Sequence, residues 1–96
     1  MLKPAGEIAV DEGAVRALRD GKSLLPAGIT QVQGQFDRGD AVVVRDPEGL
    51  EIARGLAAYS STDAERIRGR RSGEVEQLLG YRGRDEMIHR DDLVLV

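Results

Sequence analysis

Residues 39–56, GDAVVVRDPEGLEIARGL, predict two β-strands joined by a tight turn. Pro47 has the backbone φ that the second position of a turn requires, and Asp46 can accept hydrogen bonds from the residues that follow it. Gly49 can adopt a positive φ without steric cost. The segment therefore predicts a β-hairpin closed by a type I turn with a glycine bulge.

The register of this hairpin follows from placing Asp46 opposite Leu50. Arg45 then lies opposite Glu51, an arrangement that predicts a cross-strand ion pair worth about 0.2–1 kcal/mol. The next pairs along the hairpin are Val44 with Ile52, Val43 with Ala53, and Val42 with Arg54. The side chains that this register turns towards the core are Val42, Val44, Leu50 and Ile52.

The residues before the hairpin predict two further strands and one helix. Gly6–Val10 alternates in polarity, and Asp11 is a suitable N-cap for a helix that ends near Gly21. Residues 29–36 predict a second strand, in which Gly34 indicates a bulge or the close approach of another backbone.

After the hairpin, the sequence predicts short helices and closing strands. Thr62 and Glu65 have the spacing of a capping box, which predicts a helix that ends near Arg68. Ser72 predicts the cap of another helix, ending at Gly80, while residues 87–88 and 93–96 predict one or two strands. The predicted fold class is mixed α/β and mainly β, a pseudo-barrel of about six short strands with three short helices.

Composition narrows the classes of function that this chain could have. Its 96 residues predict one compact domain, and zero cysteines exclude a disulfide framework and a thiolate metal site. Three aromatic residues and a net charge of −3 argue against a stacking platform for nucleic acid bases. No apolar run approaches the ~20 residues that span a bilayer, and no apolar stretch typical of a signal peptide occurs near residue 1. We therefore expect a cytoplasmic protein with no membrane partner.

The main candidate contact residues are cationic. Residues 64–84 carry six arginines and three glutamates, although the whole chain is acidic. Three interpretations stay open for the arginines of residues 66–71: solvated surface, contact with another protein domain, and contact with phosphates. Lys22 precedes a Pro- and Gly-containing connection, but the order of residues there does not match a phosphate-binding loop. The candidates for RNA or interdomain contact are Lys22, Arg66, Arg68, Arg70 and Arg71.

The string His89-Arg90-Asp91 superficially matches the catalytic loop of protein kinases. None of the other kinase motifs accompanies it, so this assignment fails. A single histidine followed by two acids is more typical of a hydrogen-bonded turn, because no nucleophile or second base completes a catalytic set. We therefore predict no catalytic, cofactor-binding or metal-binding residues in this chain.

Several strings together resemble one known family, the C-terminal PUA domain of bacterial glutamate 5-kinase. They occur in the order of that family and cover nearly the whole chain. The resemblance lies in residues 6–8 and 11–14, SLLPAGI at 23–29, GQFDRGD at 34–40, IARGL at 52–56, YSS at 59–61, LGY at 79–81, and IHRDDLV at 88–94.

This resemblance implies that the chain is the non-catalytic PUA domain of a larger amino-acid kinase of proline biosynthesis. In that family, the kinase domain binds ATP, magnesium and glutamate, transfers the γ-phosphoryl group to glutamate, and is inhibited by proline. The implied partner of this chain is the kinase domain, whose activity it would modulate. PUA domains of RNA-modifying enzymes bind RNA, so an RNA-binding module is one alternative, and a self-contained enzyme is the other.

Overall fold

A computed structural model describes residues 3–96, which form a five-stranded mixed β-sheet accompanied by three α-helices. The strands are β1 (Gly6–Val10), β2 (Ile29–Gly34), β3 (Ala41–Arg45), β4 (Glu51–Leu56) and β5 (Leu93–Leu95). The helices are α1 (Glu12–Arg19), α2 (Ser61–Ile67) and α3 (Val75–Leu79). Short 3₁₀ turns occur at Pro26–Gly28, Ser72–Glu74 and Arg90–Asp92.

The strand order in the sheet is β2-β1-β3-β4-β5. Strands β1 and β3 are parallel, and the other three neighbouring pairs are antiparallel. The crossover from β1 to β3 contains α1 and β2, which places the N-terminal strand beside the predicted hairpin. This mixed sheet with three helices confirms the predicted α/β fold class.

One face of the sheet, here called the inner face, carries the apolar side chains that are buried together with those of the three helices. Its apolar side chains and those of the helices form one buried cluster. The strand members of this cluster include Ile8, Val10, Val42, Val44 and Ala53. The helix members that are buried are Val15, Leu18, Ala64, Ile67 and Val75. Val43 is also buried but is not a member of the cluster, because its side chain lies on the opposite face.

The predicted turn of the hairpin is confirmed. The Gly49 amide donates to the Asp46 carbonyl at 3.0 Å, and Gly49 has a φ of +88°. The Asp46 carboxylate accepts hydrogen bonds from the amides of Glu48 and Leu50, each at 2.9 Å. The aspartate thus satisfies amides that the tight turn leaves without strand partners.

The predicted register beyond the turn is wrong by one residue. Arg45 lies opposite Glu51 as predicted, but Val44 then pairs with Ala53 because a β-bulge interrupts the strand at this point. Leu50, predicted in the core, is 61% exposed. The physical reason is space on the inner face: a Cβ on Gly55 would come within 2.6 Å of the Ile88 Cγ2 atom. Strand β4 therefore turns small residues inwards, as only they fit there.

Residues 3–96 form five strands instead of about six. The segment at residues 87–88 forms only an isolated bridge, between Ile88 and Leu24. Both side chains are buried, and the Leu24 amide donates to the Ile88 carbonyl at 2.9 Å. The bridge stays short because the chain turns at Pro26 into a 3₁₀ turn, which removes the donors that a longer ladder needs. Strand β2 also ends earlier than predicted, at Gly34, where the backbone φ is +86°.

The helix caps agree with the predictions only in part. Asp11 caps α1 as predicted, since its carboxylate accepts from the Ala14 amide at 2.8 Å. Helix α2 is capped by Ser60, which accepts from the Asp63 amide at 3.2 Å, so the capping box predicted from Thr62 is wrong. Ser72 caps no α-helix; its hydroxyl donates to the Asp85 carbonyl at 3.1 Å.

Candidate functional site

The arginine run lies at the end of α2 and in the turn that follows. Arg66 is in the last turn of the helix, Arg68 follows its last residue, and Arg70 and Arg71 lead into the next 3₁₀ turn. All four side chains are exposed. Helix α2 presents Arg66 to solvent because its buried Ala64 and Ile67 face away from it.

Arg68 already has partners within the chain. Its Nε atom lies 2.6 Å from the Glu65 carboxylate, and another guanidinium nitrogen donates to the Thr30 carbonyl at 3.0 Å. Thr30 belongs to β2, so this arginine links the end of α2 to the edge of the sheet. An ion pair this exposed contributes little to stability. The hydrogen bonds nevertheless reduce the number of donors that Arg68 can offer to a phosphate.

Lys22 lies in a different part of the surface. It lines a groove of about 400 Å³ between α1 and the 3₁₀ turn Pro26–Gly28, together with Ala14, Leu25 and Glu86. None of the four arginines lines this groove. The structure therefore places four of the five candidate residues in one segment and assigns the fifth to another surface.

Two tyrosines attach the loop that follows α3, a role that the sequence did not indicate. The Tyr81 hydroxyl donates to the Asp63 carboxylate at 2.5 Å, and this hydrogen bond raises the pKa of Tyr81 to about 12. Tyr59 is buried and donates to the Arg84 carbonyl; burial raises the pKa of its phenol. A side chain at Gly83 would collide with the Tyr59 ring, so the loop must remain small at that position.

The second face of the sheet, here called the outer face, carries charged side chains across three strands. Arg45 does not bond to Glu51 as predicted; it donates to Glu7 on β1 at 2.8 Å. The Glu51 carboxylate instead accepts from Arg54 at 2.7 and 3.2 Å. Sequence reasoning missed the first pair because residues 7 and 45 become neighbours only through the parallel β1–β3 contact.

These pairs alter the acidity of both carboxyl groups. The hydrogen bond from Arg45 holds the pKa of Glu7 below its ordinary value. The hydrogen bonds from Arg54 lower the pKa of Glu51 in the same way. Both glutamates are ionised at neutral pH, and each neutralises one of these two arginines.

The hydrogen-bonded turn predicted at His89 is confirmed. The His89 Nδ1 atom accepts a hydrogen bond from the Asp91 amide at 3.1 Å, at the start of the 3₁₀ turn Arg90–Asp92. Within residues 3–96, no three histidine or acidic side chains lie close enough together to share a metal ion. No helix in the same range is both long and apolar enough to cross a membrane.

Comparison with known proteins identifies relatives of this chain. The family model described as PUA domain matches residues 6–79. Glutamate 5-kinase of Nitrobacter winogradskyi is 65% identical over 94 residues, and that of Paramagnetospirillum magneticum is 60% identical over the same length. Each match covers 98% of this chain but 25% of the relative. The chain thus spans about a quarter of the length of the curated relatives it matches.

Solved structures agree with the family model. A crystal structure of a PUA domain from Aeropyrum pernix K1 is 30% identical, has a TM-score of 0.64, and is matched over 90% of this chain and 43% of that one. The archaeal box H/ACA sRNP Nop10-Cbf5 complex contains a chain with a TM-score of 0.61 and 23% identity, a likeness of fold alone. That match covers 91% of this chain and 26% of the other. A family model that spans most of the described sheet, together with a matching fold, establishes that this chain belongs to the PUA domain family.

Proposed function

We propose that this PUA domain is the non-catalytic part of a glutamate 5-kinase and that it modulates the kinase domain of that enzyme. The observation that carries the proposal is the 60–65% identity to glutamate 5-kinases over 98% of this chain. The same relatives are about four times as long as the aligned segment, which leaves room for a kinase domain outside it. The proposed enzyme is cytoplasmic and acts in proline biosynthesis.

In this proposal, the phosphoryl transfer takes place entirely in the part of the enzyme outside this chain. Phosphorylation of L-glutamate requires ATP and magnesium, and phosphoryl transfer depends on positioned cations and a metal-ligand set. The described residues supply no such set, and the one histidine is used in a turn. We therefore assign the binding of ATP, magnesium and glutamate to the kinase domain.

The test compares the complete kinase with the same enzyme lacking the PUA domain. We expect deletion to change either the KM for glutamate or the sensitivity to proline by at least ~3-fold, a differential free energy of about 0.65 kcal/mol. The isolated 96-residue chain should show no turnover in the same coupled assay. Unchanged kinetic constants and unchanged proline inhibition after deletion would contradict the modulatory role.

The second candidate function is RNA binding through the arginine run. The observation that favours it is the exposure of Arg66, Arg68, Arg70 and Arg71 in one short segment. Three features weigh against it: the net charge of −3, the three aromatic residues, and the hydrogen bonds that already engage Arg68. We expect an affinity for tRNA in the non-specific range, about 10⁻⁴ M or weaker at physiological salt.

A titration of labelled tRNA at two salt concentrations decides between these functions. Each arginine that contacts a phosphate should add roughly 0.7–0.9 to the slope of log affinity against log salt. The variant replaces the four arginines by alanine, and its matched control replaces the exposed Arg16, Arg19, Arg38 and Arg82, an equal change of charge. Sub-micromolar binding that only the first variant loses would make RNA recognition the leading function.

A further inference from the structure

The outer face of the sheet is left uncovered by the elements that pack the core. The buried side chains of all three helices belong to the cluster on the inner face. On the outer face, Leu56 is 46% exposed and Val94 is 71% exposed. Their positions follow from the register, because Leu56 is next to the inward-facing Gly55, and Val94 lies opposite Arg54. Two apolar side chains thus lie on adjacent strands at one end of this face.

The two edges of the sheet differ in how well they are protected. Along β2, the exposed side chains Thr30, Gln31 and Gln33 are polar, and Arg68 occupies the Thr30 carbonyl. The β5 edge has the apolar sequence Leu-Val-Leu, with Leu95 45% exposed. Folded proteins usually protect such edges with charges, proline or a covering element. An apolar edge beside an apolar patch therefore indicates a surface that another part of a larger protein covers.

The beginning of the described chain approaches the same surface. The Ala5 amide donates to the Ala41 carbonyl at 2.8 Å, and Ala41 pairs with Leu56. Lys3 and Pro4 line a cavity of about 530 Å³ on the outer face together with Val43 and Arg54. Any domain connected to the start of this chain is consequently held at high local concentration beside Leu56 and Val94.

The charges on the outer face are compatible with burial against another protein domain. Each of the two arginines is paired with a glutamate, Arg45 with Glu7 and Arg54 with Glu51. A covering surface need not supply compensating charges for these two arginines; it needs apolar side chains for Leu56 and Val94, with polar groups around them. Interfaces between domains of one chain typically bury about 600–1,500 Å², so the charged pairs would form the polar part of the contact.

We propose that the outer face around Leu56 and Val94 is the surface on which the kinase domain of the parent enzyme docks. This inference rests on the proposed function, since it takes the kinase domain to be the neighbour that precedes this chain. The four-fold greater length of the matched glutamate 5-kinases supplies a covering domain of sufficient size. Docking on this face leaves the arginine run and the Lys22 groove, which lie on other elements, open to solvent.

The test uses a complete enzyme. In the Nitrobacter winogradskyi glutamate 5-kinase, this chain replaces the segment to which it is 65% identical. Hydrogen exchange is measured for the peptide that covers β4 and the peptide that covers β5, in the chimera and in the isolated chain. We expect exchange to slow at least ~10-fold in the chimera within these two peptides and to remain unchanged in the peptide that covers β2.

Variants then identify the surface. Leu56→Glu combined with Val94→Glu should return exchange in β4 and β5 to the rate of the isolated chain and increase the radius of gyration measured by X-ray scattering. The matched control, Thr62→Glu with Gln77→Glu, makes the same change of charge on exposed residues of α2 and α3, neither of which lines the outer-face cavity. Protection that is absent from the chimera, or lost equally in the control, would overturn the proposal. If the double variant fails to fold, the comparison of exchange in β4 and β5 between the unmodified chimera and the isolated chain tests the proposal by itself.

The kinetic assay separates failure of this inference from failure of the proposed function. A chimera whose kinetics depend on the PUA domain, but whose β4 and β5 remain unprotected, would refute the docking surface and retain the modulatory role. A chimera whose β4 and β5 are protected, but whose kinetic constants do not depend on the PUA domain, would retain the docking surface and refute the modulatory role.

Discussion

Gly55 is a position at which the addition of one methyl group should cost stability. A Cβ built on this residue would lie 2.6 Å from Ile88 Cγ2 and 2.8 Å from the Asp92 carbonyl oxygen. Ile88 is fully buried, and Asp92 belongs to the 3₁₀ turn that leads into β5. Neither neighbour can move without disturbing the pairing of Gly55 with Leu93. Gly55→Ala should therefore destabilise the fold by about 1–3 kcal/mol, the usual cost of overpacking a core.

Denaturant and thermal unfolding provide the assay. A loss of 1 kcal/mol lowers Tm by about 4–8 °C in a domain of this size. The control is Gly73→Ala, because nothing lies within 4 Å of a Cβ at that position and its φ is not positive. This control should change the free energy of unfolding by less than about 1 kcal/mol, and in the stabilising direction.

A double variant tests the mechanism. Ile88→Ala removes the closest atom, at a cost of about 2–5 kcal/mol by itself, and should reduce the further cost of adding Gly55→Ala. The reasoning would be refuted if Gly55→Ala destabilised no more than the Gly73 control, or if the two changes at 55 and 88 were strictly additive.

Three further predictions concern the hairpin and the ionisable groups. Val44→Ala should destabilise the fold by about 1–4 kcal/mol, more than Arg45→Ala does; a larger loss for Arg45→Ala in denaturant melts would contradict the assignment of faces. The Tyr81 ring should not titrate below about pH 11 by NMR, since its pKa is about 12, and Asp63→Asn should return it towards 10. The pKa of Glu7 is lowered in the folded state, so its pairing stabilises the fold above the unfolded pKa, and this contribution is lost as pH falls through the folded pKa. Stability should consequently fall more steeply below about pH 5 in the wild type than in Glu7→Gln, and equal slopes would show that the ion pair contributes nothing.

Local sequence determined the turn, several helix ends and the fold class. The hairpin turn was predictable because Asp46, Pro47 and Gly49 act through their own backbone preferences, which need no distant partner. The Asp11 cap and the Gly80 helix end follow from the same kind of local chemistry, and the structure confirms both. The family was recognisable as well, because each of its characteristic strings is an uninterrupted run of residues that can be read without knowledge of the fold.

Tertiary structure alone decided the register of β4, the ion pairs and the composition of the outer face. The bulge at Ile52 depends on the space that Ile88 leaves beside Gly55, two residues 33 positions apart in the chain. Glu7 reaches Arg45 only because a crossover makes β1 and β3 parallel neighbours, and no local pattern marks that contact. Likewise, the exposure of Leu56 and Val94 depends on which face the helices cover. Contacts between distant segments are set by the packing of the whole chain, so the sequence indicated the elements and the folded structure determined which surfaces remain available to a partner.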